Sequence, residues 1–193
     1  MPKSYFTNRE WLTIGLLAVI GGLSSIALGK SGPSLCSRVS IPGGLQSFAG
    51  VHVLPLVIVA GLIRRPGAAT TAGLLKGVIE LLTGSAHRWV VLGFAGLAGL
   101  VVDLVFLLAR KRRGVLTTLV SGGLGSASNV IVLGLSAGLP YACKNTTPLP
   151  WVAVIAFGSG VVFAGGLGWL ILEGLRRAGI TAPRPSRAEA TPP

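Results

Sequence analysis

Six apolar runs follow one another along this chain, with short basic clusters between them. They lie at 11–28, 48–63, 67–83, 89–109, 115–137 and 151–172. A helix of roughly 20 apolar residues crosses the hydrocarbon core of a bilayer. A chain patterned this way therefore reads as an all-α integral membrane protein of six transmembrane helices. Charge content agrees: only 11% of residues are charged, against about a quarter in soluble domains. Six crossings use up most of the 193 residues. Residues 1–180 are expected to form one transmembrane domain, and the Pro-rich polar stretch 181–193 a disordered cytoplasmic tail. Any ATPase that drives such a protein would be a separate polypeptide. No cleavable signal peptide is read at the start, because the first apolar run follows Glu10 without a clear small-residue cleavage site.

The formal net charge is +12, which on its own would fit a nucleic-acid partner. The distribution excludes that reading, because the charges sit in short clusters between apolar runs. Lys3, Arg9, Arg64, Arg65, Arg110, Lys111, Arg112, Arg113, Arg176, Arg177, Arg184 and Arg187 fall on one side of the six runs. The other side holds Lys30, Arg38, Arg88 and Lys144. The richer side is expected to be cytoplasmic. Both termini then lie inside, which requires an even number of crossings, in the cell membrane.

The links between runs differ in kind. The inner links at 64–66 and 110–114 are tight, whereas the outer loops at 29–47 and 138–150 are longer and rich in Gly, Pro, Ser and Thr. Long loops of this sort are often lids or binding loops. Trp11, Trp89 and Trp151 stand at the ends of runs, where indole rings favour the membrane interface. Gly15, Ala18 and Gly22 in the first run, and glycines throughout the later ones, permit close helix packing or the docking of a membrane partner.

Glu80 stands inside the third run, and Lys76 lies one helical turn before it on the same face. A carboxylate in a membrane span costs roughly 2.5–3.5 kcal/mol on insertion scales, so it marks a candidate functional site. The inferred orientation puts Glu80 near the outer surface, with Lys76 a turn deeper. His52, Asn129, Ser24, Ser25, Trp89 and Trp151 are expected at the same level, and Gln46 closes the first outer loop. Apolar walls, a few polar anchors and overlying loops have the character of a small-molecule pocket. Each member also has a plain structural reading. Glu80 and Lys76 could neutralise each other, Asn129 could bond a neighbouring helix, and the tryptophans could be interface anchors. Asp103 lies towards the inner end of the fourth run; its expected partner is a cation of the 110–113 cluster or Lys76. Glu173 is expected to pair with Arg176 or Arg177.

Cys36 and Cys143 are the only cysteines, and both fall in outer loops, so a disulfide between them is a candidate. With two widely separated histidines they form no convincing zinc site, and no metal or other cofactor is expected. Catalytic motifs are absent: there is no P-loop, HExxH or GxSxG. The run Gly158-Ser159-Gly160 lacks a histidine at its depth, so an intramembrane serine protease is discounted.

Several segments resemble a known family. They are Ile41-Pro42-Gly43-Gly44, the stretch from Gly61 to Ala68 containing Arg64-Arg65-Pro66-Gly67, and Val78-Ile79-Glu80-Leu81-Leu82-Thr83-Gly84. Asp103-Leu104-Val105-Phe106 and the small-residue run from Gly122 to Asn129 complete the set. These segments are spread over residues 41–129, a stretch of about half the chain. The chain thereby resembles the substrate-binding S components of energy-coupling-factor (ECF) vitamin transporters, specifically the YkoE-like group. The resemblance implies six transmembrane helices and a thiamine or hydroxymethylpyrimidine ligand. It also implies a membrane-embedded coupling protein and two cytoplasmic ATPases as partners. Ala18, Gly22 and their neighbours would then meet the coupling protein. Glu80 would face a cationic or amino-substituted heterocycle, and Lys76 departs from the apolar residue expected at its position. The rival readings are a self-contained transporter relaying protons through Lys76, Glu80 and Asp103, and a structural assembly protein using its glycine faces.

Overall fold

The computed structural model describes residues 5–38, 44–83, 89–109, 114–135 and 148–179. All regular structure among the described residues is helical. Helix α1 spans Asn8–Arg38, and a short 3-10 turn at Gly44–Phe48 leads into α2, Ala49–Leu62. Then come α3 (Ala68–Leu82), α4 (Val90–Leu108) and α5 (Val115–Leu135). The last helical run comprises α6 (Leu149–Ser159), a π-helical stretch at Gly160–Leu167, and α7 (Gly168–Arg177).

Local chemistry explains two of these starts. The Thr7 amide donates to Glu10 Oε2 at 2.7 Å, and the Glu10 amide donates back to Thr7 Oγ1 at 3.3 Å. This reciprocal capping box satisfies two amides that the first turn of α1 leaves open. The α2–α3 turn is closed by Gly67 at φ 87°, a left-handed conformation that glycine adopts without steric cost. The segment before α1 is tied to that turn. Arg65 pairs with Glu10 at 3.2 Å and donates to the Tyr5 carbonyl, while Tyr5 Oη donates to the Pro66 carbonyl at 3.2 Å. Phe6 is buried beside them in the main core.

Close contacts give the direction of each helix. Gly21 lies against Pro55, and Ser25 against His52, so α1 and α2 are antiparallel. Gly77 meets Leu92 and Gly99 meets Ala69, so α3 and α4 are antiparallel. The pairs Gly93–Val132 and Gly125–Val102 set α4 against α5, and Gly134–Leu149 and Gly122–Gly160 set α5 against the last run. Successive helices therefore alternate up and down, with α2 at the centre. Val53 of α2 touches α5, Pro55 touches α1, Gly50 touches Ser159, and Gly61 touches Leu172.

The packing is that of a bundle in lipid. Small and polar residues such as Ala69, Ala72, Ser121 and Ser126 are buried, while Leu12, Leu16, Leu104, Leu116, Ile131 and Val162 are exposed on the surface. Among the described residues, four runs are long and apolar enough to cross a membrane: Asn8–Lys30, Val90–Leu108, Val115–Leu135 and Leu149–Arg177. Helices α2 and α3 have 14 and 15 residues, or about 21–23 Å at 1.5 Å per residue, short of the ~30 Å core. Both fall in runs expected to cross, and they are the two short ones among the described residues. Neighbouring helices enclose much of the two short ones.

Another boundary also moves. The first apolar run was read to end at residue 28, with a loop to 47, but α1 continues to Arg38. Hydropathy marks where apolar surroundings end, which is not where a helix must stop. Cys36 accordingly lies within helical backbone rather than in a loop. Cys143, the Cys36–Cys143 pairing, the basic cluster at 110–113 and the tail at 181–193 lie outside the described residues.

Candidate functional site

Gly21 and Gly22 open a path between α1 and α3. A side-chain carbon on Gly21 would stand 3.2 Å from Lys76 Cδ and 3.0 Å from Pro55 Cγ. The stem of Lys76 thus runs between α1 and α2, which is why the residue is only 4% exposed. Its ammonium reaches Glu80 Oε1 at 2.5 Å, and the Glu80 side chain is 12% exposed. Glu80 Oε2 has no hydrogen-bond or ion-pair partner among the described residues. The intramembrane pair read from the sequence is therefore formed, and it is nearly enclosed.

A second polar contact sits at the same level. Ser25 Oγ and His52 Nδ1 share a hydrogen bond at 2.5 Å. Gly22 of α1 packs on Ile79 of α3, so Ser25, His52 and Glu80 lie within about one turn of each other along the bundle axis. Asn129 belongs to the far side of α2. It follows Gly125, which touches Val53, and Val53 and Pro55 project from nearly opposite faces of α2, about 200° apart. Asn129 is buried, and its Oδ1 has no partner among the described residues. A buried amide oxygen without a donor is costly, by about 1–3 kcal/mol.

The other sequence candidates are placed less centrally. Gln46 is half-buried in the 3-10 turn that enters α2. Trp89 and Trp151 are 70% and 63% exposed, so their rings lie on the bundle surface rather than over Glu80 or Asn129. Ala18 and Gly22 are buried against the bundle, which leaves Gly15 as the half-exposed member of the small-residue set on α1.

Asp103 does not pair with Lys76, and the 110–113 cluster, its other expected partner, lies outside the described residues. Its carboxylate accepts the Ala69 amide at 3.2 Å, and the Thr70 amide and Thr70 Oγ1 at 2.7 Å each. It is an N-cap for α3 supplied by α4, a tertiary contact that no spacing within one helix could reveal. Glu173 does pair as read, with Arg177 at 3.2 Å and Arg176 at 3.7 Å. A shallow cleft lined by Ile63, Arg64, Pro66, Asp103 and Phe106 sits beside the α2–α3 turn, at the end of the bundle opposite Glu80. Sequence reasoning missed the Gly21–Pro55 channel that admits the Lys76 stem. Pro55 in the middle of an apolar run was the available signal.

The sequence model for the permease component of ABC-type cobalt transport systems matches residues 9–128. The chain belongs to this family. A protein of Bacillus subtilis (strain 168) named "Putative HMP/thiamine permease protein YkoE" is 29% identical over 139 residues, covering 72% of this chain and 69% of that protein. The crystal structure of an S-component of an ECF transporter superposes with a TM-score of 0.77 at 23% identity, covering 91% of this chain and 88% of the other. The permease family, the YkoE likeness and the S-component fold bear out the resemblance to a YkoE-like S component. The chain is a membrane transport protein.

Proposed function

We propose that this chain captures a small vitamin-type ligand, thiamine or its hydroxymethylpyrimidine precursor, at the outer level of the bundle. It then delivers the ligand inward as the substrate-binding subunit of an ECF-type importer. In this reading the helices make six crossings, with α2 and α3 shielded by their neighbours and both termini cytoplasmic in the cell membrane. Residues 1–180 act as one domain. The energy comes from partners: a membrane-embedded coupling protein and two cytoplasmic ATPases.

The observation that carries this reading is the polar level itself. Glu80 offers an unused carboxylate oxygen and Asn129 an unpartnered amide oxygen, both near the same end of an otherwise apolar bundle. Glu80 Oε2, an acceptor in apolar surroundings, suits an amino-substituted heterocycle whose N–H group would satisfy it, while Asn129 lies across α2 from it. The name of the Bacillus subtilis relative points to the same ligand class.

A proton relay through Lys76, Glu80 and Asp103 has less support. Asp103 is engaged in capping residues 69 and 70. Glu80 lies ten residues further along α3, about 15 Å away at 1.5 Å per residue.

Uptake of labelled thiamine and hydroxymethylpyrimidine tests the proposal, in cells that lack their own carriers and co-express a coupling protein and ATPases. Uptake that needs both this chain and the ATPases is the expected result, with loss in Glu80→Ala. Uptake without any ATPase would favour the self-contained transporter. No uptake of either compound by correctly inserted protein would count against the ligand class.

A further inference from the structure

The sequence and family together leave two ligand types open, one neutral and one carrying a fixed cation. We infer that Lys76 makes this site selective for the neutral one: an uncharged amino-substituted heteroaromatic is bound in preference to the same ring system bearing a quaternary nitrogen. The inference rests on the reading of Glu80 as a ligand contact.

The charge that a cationic ligand would seek is already matched. Lys76 Nζ lies 2.5 Å from Glu80 Oε1, and the two side chains are 5% and 12% exposed. Lys76 also has no ready alternative. Its stem is held where α1, α2 and α3 meet, with Gly21 and Pro55 packed beside it, so the ammonium cannot swing to water when the carboxylate is taken. Among the described residues, no second acidic side chain stands at this level. Glu10 lies at the other end of α1, Asp103 caps the start of α3, and Glu173 pairs with arginines on α7.

A cation drawn to Glu80 would therefore strand a buried ammonium or add a second positive charge beside it. Removing the partner of a buried charge is strongly unfavourable. A neutral ring meets no such conflict. Its amino group can donate to Glu80 Oε2 while Lys76 keeps Oε1, and the ion pair survives binding. Ser25 and His52, one turn or less away, share a hydrogen bond with each other.

The test is a calorimetric comparison on the purified full chain in detergent or nanodiscs. The probes are hydroxymethylpyrimidine, thiamine, and a thiamine analogue in which a neutral ring replaces the thiazolium. The analogue separates charge from size. The neutral analogue is expected to bind on the order of a hundredfold more tightly than thiamine, as the loss of a buried partner implies. Hydroxymethylpyrimidine should also outbind thiamine. Lys76→Met removes the internal cation and should shift the ratio towards thiamine, whereas Lys76→Arg should keep the wild-type order. If Lys76→Met does not fold, the wild-type ratio still decides. Thiamine binding as tightly as its neutral analogue would overturn the inference while leaving the vitamin-binding reading in place. Binding of none of the three by folded protein would overturn that reading, and this inference with it.

Discussion

Lys76 and Glu80 were adjacent on a helical face in the sequence, and the structure joins them at 2.5 Å because one turn of helix is the distance their side chains span. What the spacing could not show is the burial of Lys76, which depends on Gly21 of another helix making room for its stem. That burial makes the pair consequential. Removing either partner alone should destabilise the fold by about 3–5 kcal/mol, because the other charge is left enclosed. The double replacement Lys76→Met with Glu80→Gln should cost clearly less than the sum. Thermal unfolding of the four proteins in one detergent measures this, and strict additivity would contradict the coupling. Asp103 carries a separate prediction. Asp103→Ala leaves the Ala69 and Thr70 amides without their acceptor and should cost about 1.5–3 kcal/mol, the worth of hydrogen bonds to a charged group. Asp103→Asn should recover part of that. An unchanged melting temperature for Asp103→Ala would remove the cap from the account.

The apolar pattern placed α1 to α5 and the last helical run, with α2 and α3 the short ones, but not the continuation of α1 to Arg38. A hydropathy pattern reports the surroundings of a segment, whereas helix length is decided by backbone hydrogen bonds and by what caps them. The glycines were legible as packing residues, but their partners were not. Gly73 sits on the Ala95 carbonyl and Gly99 on the Ala69 carbonyl, so α3 and α4 approach backbone to backbone. A methyl at either position meets an atom that cannot yield without moving a helix. Gly99→Ala should therefore destabilise by about 1–3 kcal/mol, the usual penalty for overpacking. Gly15→Ala is the control, because nothing lies within 4 Å of the added carbon, and it should leave stability unchanged in the same unfolding assay. Equal effects at the two sites would mean that α3 and α4 are not packed this closely.

At the scale of the whole molecule, the charge distribution predicts an inside and an outside, and the alternating helix directions agree with it. Thr83 then lies at the outer end of α3, and Gly114 at the inner end preceding α5. With Cys36 and Cys143 replaced by serine, Thr83→Cys should react with a membrane-impermeant maleimide in intact cells. Gly114→Cys should react only after permeabilisation. The reverse pattern would invert the protein and place the Glu80 level on the cytoplasmic face. The family was legible in the sequence because the Gly61–Ala68 motif falls at the α2–α3 turn, where backbone geometry restricts residue choice, and the Gly122–Asn129 motif falls in the middle of α5, where close packing does. The site was legible only in part. Glu80, His52 and Asn129 were identifiable as polar residues at one depth, with Lys76 a turn deeper, but depth says nothing of azimuth, and α2 separates Asn129 from the Lys76–Glu80 pair. The central claim is that this level binds a vitamin-type heterocycle through Glu80. Its most direct measurement is calorimetric titration of hydroxymethylpyrimidine and thiamine into the purified wild-type protein and into Glu80→Ala. Saturable binding of at least one compound by the wild type, lost in a Glu80→Ala variant that remains folded, is the predicted result; unchanged affinity in that variant would contradict it.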